Sequence, residues 1–149
     1  MLHYKNGRFI AGKVSFALPN DCYLVIMNAQ NYYENGLEIT DKQGRVLIEI
    51  SALHDKLPAK AFLDDLLDGD TFIRLSETLP IRGGALDGYF AFYKAGTHHY
   101  CEYRFDVEDY NEINALQIFV CVEDCIDIKK VCASHIVQDL LAGLRKERY

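Results

Sequence analysis

Apolar and polar residues alternate with period two in several short stretches of the chain, and recur at helical spacing in two others. Val14-Ser15-Phe16-Ala17-Leu18 alternates and stops at Pro19-Asn20-Asp21, which predicts a strand and then a turn. Cys22 to Met27 is the next predicted strand. Leu37-Glu38-Ile39-Thr40 and Val46 to Ile50 flank Asp41-Lys42-Gln43-Gly44, the clearest hairpin signal in the chain. In its second arm Val46, Ile48 and Ile50 share one face.

Pro58 then opens a helix, at a position where its missing N–H costs nothing. Phe62, Leu63, Leu66 and Leu67 form its apolar stripe, and Gly69 ends it. Thr71 to Leu75 suits a short strand, and Leu79-Pro80-Ile81-Arg82-Gly83-Gly84 an extended connection. A long hairpin follows, with Leu86–Tyr93 against His99–Phe105. Asn114–Val122 is the most apolar strand. Leu116, Ile118, Val120 and Val122 face one way and Phe119 and Cys121 the other, so something must cover both sides of the sheet. A last helix is predicted from Ile128 to Arg145, with Asp127 as N-cap. Its inner stripe is Val131, Cys132, Ile136, Leu140 and Leu144. Arg145 and Lys146 fall where the helix dipole favours cations.

These elements predict one α+β domain over residues 1–149, an antiparallel sheet with the Pro58–Asp68 helix on one face and the C-terminal helix on the other. Half of the 149 residues are hydrophobic, ample for one core. The net charge is −6 and the basic residues are scattered, apart from Arg145, Lys146 and Arg148. Nucleic acid and acidic membrane surfaces are therefore not expected partners. No apolar run approaches the roughly 20 residues of a membrane span. The N-terminus, Met1-Leu2-His3-Tyr4-Lys5-Asn6-Gly7-Arg8, has no apolar h-region and does not read as a secretory signal. The five cysteines, an odd number with mostly apolar neighbours, suit reduced thiols and a cytoplasmic setting.

Three stretches carry a family resemblance. Phe16-Ala17-Leu18-Pro19-Asn20 resembles an opening strand that ends in a Pro turn. Leu79-Pro80-Ile81-Arg82-Gly83-Gly84 resembles the link into a long hairpin, and Ile136-Val137-Gln138-Asp139-Leu140-Leu141 a closing helix. Together with the order of elements they resemble the PsbP/Mog-like α/β/α sandwich, shared by photosystem PsbP proteins, a Ran-binding nuclear import factor, and bacterial DcrB-type and effector-chaperone proteins. The resemblance implies a protein-binding role and carries over no functional residue.

Side chains with chemistry to offer have plainer readings. Cys121, Cys125 and Cys132 lack the second knuckle that zinc sites use, and read as core thiols. His98 and His99 are adjacent on a strand and point to opposite faces. His135 reads as a packed or capping residue and His54 as a loop residue. Asp64, Asp65, Asp68 and Asp70 lack the calcium-loop pattern, and the first three suit a solvated helix back. Glu108, Asp109 and Glu112 suit a loop. No nucleophile elbow or triad is evident. The expectation is no catalytic residue, no metal and no cofactor.

Ten tyrosines and no tryptophan leave one suggestive surface, Tyr89, Tyr93 and Tyr100 on the long hairpin, which reads equally as an interface or as rings lying under a helix. The expected function is non-catalytic binding, as an adaptor or chaperone-like module, to a protein partner or to itself, a homodimer being one form of this. The alternatives are a small-ligand-binding domain and a small enzyme or metal module.

Overall fold

The computed structural model describes residues 2–28, 36–108 and 113–147. The chain is α+β, mostly antiparallel sheet with a few short helices. In chain order the strands and helices are β1 (His3–Lys5), β2 (Arg8–Ala11), β3 (Val14–Phe16), β4 (Cys22–Asn28), β5 (Gly36–Asp41), β6 (Val46–Leu53), α1 (Ala59–Leu67), β7 (Ile73–Arg74), β8 (Leu79–Gly83), β9 (Leu86–Ala95), β10 (His98–Asp106), β11 (Ala115–Glu123), α2 (Ile128–Ala133), α3 (His135–Ala142) and β12 (Arg145–Lys146).

An eight-stranded sheet runs β4-β5-β6-β11-β10-β9-β7, with β8 also paired to β9. The hairpin at Asp41–Gly44 forms as its sequence predicts. Gly44 takes φ +69°, and the Asp41 carboxylate accepts from the backbone N–H groups of Arg45 and Val46. The β9–β10 turn is tighter than the five-residue loop expected. Ala95 pairs directly with His98, leaving Gly96-Thr97 as the turn, with Gly96 at φ +59°. The stretch from Leu79, read as a connection, is itself a strand in register with β9, Leu79 opposite Phe90 and Gly83 opposite Leu86.

A second, four-stranded sheet, β1-β2-β3-β12, contains the strand predicted at Val14, but its other strands were not read from the sequence. They are two to four residues long, too short to show periodicity, and β12 comes from the far end of the chain. Phe9 pairs with Phe16, the rings stacked at 5.6 Å. The Arg8 guanidinium donates to Ser15 and to the Gly143 carbonyl, while the Ser15 hydroxyl donates to Glu147. The cation at the C-terminal end of α3 is thus Arg8, from the far end of the sequence, and Arg145 extends as β12 beside Ser15.

The single C-terminal helix predicted from Ile128 to Arg145 is two helices, broken at Ser134. Asp127 caps α2 as expected, accepting from the Lys129 and Lys130 N–H groups. Ser134 is extended, at ψ 162°, and the Gln138 side-chain amide donates to the Cys132 carbonyl at 2.7 Å. That bond serves a carbonyl left without a helical partner by the break. The two short helices bury Ile128 and Cys132 from α2, and Ile136, Val137, Leu140 and Leu141 from α3.

These side chains share one apolar cluster with Ile48, Ile50, Cys101, Tyr103, Phe105, Leu116, Ile118 and Val120, and with Phe9, Val14 and Phe16 of the small sheet. A smaller cluster holds Leu67, Ala91 and Tyr93, with Leu66, Phe72, Tyr100 and Phe119 against it. Phe119 alternates with Ile118 and Val120 on β11, and Tyr100 with Cys101 on β10, so the two clusters use opposite side-chain directions of the same strands.

Candidate functional site

Strand β10 alternates strictly. Cys101, Tyr103 and Phe105 point into the large cluster, and Tyr100, Glu102, Arg104 and Asp106 point the other way. A polar face of an antiparallel sheet normally meets water. Here α1 packs against β9 and β10, and Arg104 and Glu102 are 2% and 3% exposed. Sequence reasoning missed both. The signal available was that the α1 stripe needed a sheet face, and that the face opposite Phe90, Phe92 and Tyr103 carries these charges.

The Arg104 guanidinium donates to Asp55 at 2.8 Å and to the Gln117 carbonyl oxygen at 3.2 Å, and lies 3.4 Å from the centre of the Phe62 ring of α1. The chain leading into α1 is held in the same layer. Asn114 accepts from the Asp55 N–H and donates to the Asp55 carbonyl. Asp106 accepts from the Ala59 N–H at 2.9 Å, so α1 is capped from across the sheet and not by its own Pro58.

Glu102 accepts from Gln117 at 3.4 Å through one oxygen; its other oxygen has no hydrogen-bond partner among the described residues and lies 4.0 Å from Arg104 Nε. Burial pushes the carboxyl up to about 7, with Asp55 and Glu49 adding to the rise against the pull of Arg104. Glu49 is itself raised, first by burial and then by Glu38, which stands directly opposite it across β5–β6. A carboxyl poised near neutrality could move protons. At 3% exposure, however, Glu102 is closed to any substrate while α1 is in place.

Of the two readings of the hairpin tyrosines, Tyr93 takes the one under a helix and is not a surface residue. Tyr93 is 3% exposed and belongs to the core under α1. Its ring stacks on Tyr100 at 5.1 Å and meets the edge of Phe72 at 5.0 Å; Tyr100 in turn lies 5.1 Å from Phe119. Burial raises the Tyr93 hydroxyl far above its ordinary value. Tyr89 and Tyr100 are half-buried. Tyr93 and Tyr100 lie in one cluster with Leu66, Leu67 and Phe72, and Tyr89 is outside it.

The cysteines separate. Cys121 is half-buried opposite Tyr100 and Cys132 is buried in the large cluster on the other side, but Cys125, read as a core thiol, is exposed because it sits in the turn after β11. Cys132 instead neighbours Cys101 and Tyr103, and its thiol is lowered by a hydrogen bond from Cys101, whose own thiol burial raises. Native thiol titration is expected to modify Cys125 first, Cys22 and Cys121 slowly, and Cys101 and Cys132 only on unfolding. Early modification of Cys101, read by peptide mass, would contradict this packing.

Among the described residues no group of three or more His, Cys, Asp or Glu side chains is placed to hold a metal ion. His98 and His99 do point to opposite faces, as adjacent strand residues must. His135 is neither packed nor capping: it is exposed, 3.5 Å from Asp21. Asp64 and Asp68 form a solvated ion-pair cluster with Lys60 and Arg74. His54 and Glu108 are exposed, while Asp109 and Glu112 lie outside the described residues. A cleft of about 470 Å³ between the β5–β6 turn and the α2–α3 break is of small-ligand size. Its charges answer one another, Asp21 pairing with Lys42 at 3.3 Å as well as with His135.

Exposed large apolar side chains gather at the two edges of the eight-stranded sheet. Tyr23, Leu24 and Val25 are 56%, 45% and 53% exposed on β4, and Ile73, Leu75 and Leu79 are exposed at the other edge. Strand β4 pairs with β5, and a bulge interrupts that ladder between Leu24 and Ile26. No helix among the described residues is long and apolar enough to cross a membrane.

No protein-family model matches the chain, and no curated protein matches it in sequence. Solved structures do resemble it in fold. LpqN of Mycobacterium tuberculosis, a protein involved in cell envelope biogenesis, superposes with a TM-score of 0.55 at 9% identity over 98% of this chain and 88% of its own. A Bacteroides thetaiotaomicron protein superposes with a TM-score of 0.55 at 12% identity over 97% of this chain, which spans 50% of that protein's length. At such identities the likeness is one of fold.

Proposed function

We propose that this chain is a non-catalytic protein-binding module, adaptor or chaperone-like, built on an α/β/α sandwich of the PsbP/Mog kind and working in the cytoplasm. The sandwich reading is supported by the two apolar clusters, one holding α2 and α3 and the other α1, on opposite side-chain directions of β10 and β11. The cytoplasmic setting is supported by five free cysteines.

The observation that carries the binding role is the β4 edge. Three consecutive large apolar side chains stand exposed there on an edge strand, whose outer backbone groups suit pairing with another extended chain. The bulge bends this edge, which suits a short segment of a partner polypeptide better than the long straight pairing of two copies. A photo-crosslinking residue at position 25, compared with one at position 73, tests this in the native host. The expected result is one recurrent partner segment captured at position 25 alone. A synthetic peptide of that segment should then bind the purified protein, and Leu24→Lys should weaken it about tenfold or more with little change in Tm. A dimer abolished by Leu24→Lys would replace the partner with a second copy. Neither adduct nor dimer would end the proposal.

A further inference from the structure

In the layer between α1 and the sheet one buried cation, Arg104, faces two carboxyl groups, Asp55 and Glu102, while Asp106, at the start of α1, is exposed to water. Such a layer is electrically neutral when one carboxyl keeps its proton. Asp55 takes the 2.8 Å bond and retains some exposure, while Glu102 is sealed, with one oxygen unsatisfied. We propose that α1 is a pH-gated cover, docked on the sheet while Glu102 is protonated and loosened when Glu102 ionises.

The groups facing Glu102 support this direction. Ala91 and Phe119 stand directly across from it on β9 and β11, and Tyr93, Tyr100 and Gln117 lie in the neighbouring positions. Glu49 lies beyond Phe119 in the same cross-strand row, and Asp55 approaches from the loop before α1, both adding negative charge. Arg104 is the opposing cation, and its guanidinium is already engaged by Asp55 and Gln117. The α1 residues turned to the sheet, Phe62, Leu63, Leu66 and Leu67, bring no charge, while Lys60 and Asp64 pair with each other on the outer side. A charged Glu102 thus gains little where it is, and gains water if α1 lifts. Lifting would also uncover the Tyr93–Tyr100–Phe119 shelf.

A carboxyl raised in the docked state favours docking fully below its free value, loses that contribution as pH rises to its docked value of about 7, and is level beyond. Hydrogen exchange of the α1 amides, corrected for intrinsic rates, reads this from about pH 4.5 to about pH 8.5. Protection of α1 should fall on the order of a hundredfold up to pH 7 and then level off, with α3 amides unmoved. Glu102→Gln should flatten the α1 profile. A flat wild-type profile, a parallel fall in α1 and α3, or a slope that survives Glu102→Gln would each overturn the proposal. Should the variant not fold, the carboxyl ¹³C titration of wild-type Glu102 decides: a midpoint near 7 supports the gate and one near 4.5 ends it.

Discussion

Arg104→Met is expected to destabilise the protein by about 3 kcal/mol or more at neutral pH, because it removes the buried guanidinium and leaves the Asp55 carboxylate that it holds without its partner. Methionine keeps most of the stem volume, so the loss reports charge and not a cavity. The change breaks the bond to Gln117 within the sheet, and the bond to Asp55 and the contact with Phe62 that tie α1 and the loop before it to the sheet. The deficit should also grow with pH. In the wild type the cost of ionising Glu102 stops rising near 7. Without the neighbouring guanidinium that carboxyl is raised further, so the cost keeps climbing, and the gap between variant and wild type should be wider at about pH 8.5 than at about pH 6. Urea unfolding at the two pH values measures it. A deficit under about 1 kcal/mol, or one that narrows with pH, would mean that Arg104 does not hold this layer together.

Tyr93→Ala should cost about 3–5 kcal/mol, the range for deleting a large buried ring. Tyr93 is stacked on Tyr100 and packed by Phe72, Leu66 and Leu67, so truncation leaves a void beneath α1 that its neighbours cannot all fill. Tyr23→Ala, at a ring 56% exposed, should stay within about 0.5 kcal/mol and serves as the control. Thermal unfolding of both variants decides. Equal small losses would place Tyr93 at the surface. A large loss makes Tyr93→Ala unusable as a probe of binding and leaves the β4 edge as the place to test it.

Local pattern explains why some of this was readable and some was not. The Asp41–Gly44 hairpin, the alternation of β9, β10 and β11 and the Asp127 cap each rest on interactions within a few residues or between adjacent strands. The break at Ser134 depends on Gln138 reaching back to Cys132, and a continuous apolar stripe through Cys132, Ile136 and Leu140 hides it. In the small sheet β1, β2 and β3 pair locally, but β12 joins them only through Arg8 and Ser15 meeting Gly143 and Glu147 across almost the whole chain, a pairing that no window of residues reveals.

The sequence by itself determined the class of the fold, the directions in which the strands of the large sheet point their side chains, and the opposite directions of His98 and His99. Tertiary structure alone decided what each direction meets. The same alternation that sets Tyr93, Glu102 and Arg104 on the polar side of the hairpin would leave them in water if nothing lay above. Docking of α1 turns that side into an interior, so a ring becomes core, a guanidinium becomes a tether, and a carboxyl is held near neutrality. Period two records which residues share a side; burial, and the desolvation that shifts a charge, depends on an element arriving from elsewhere in the chain.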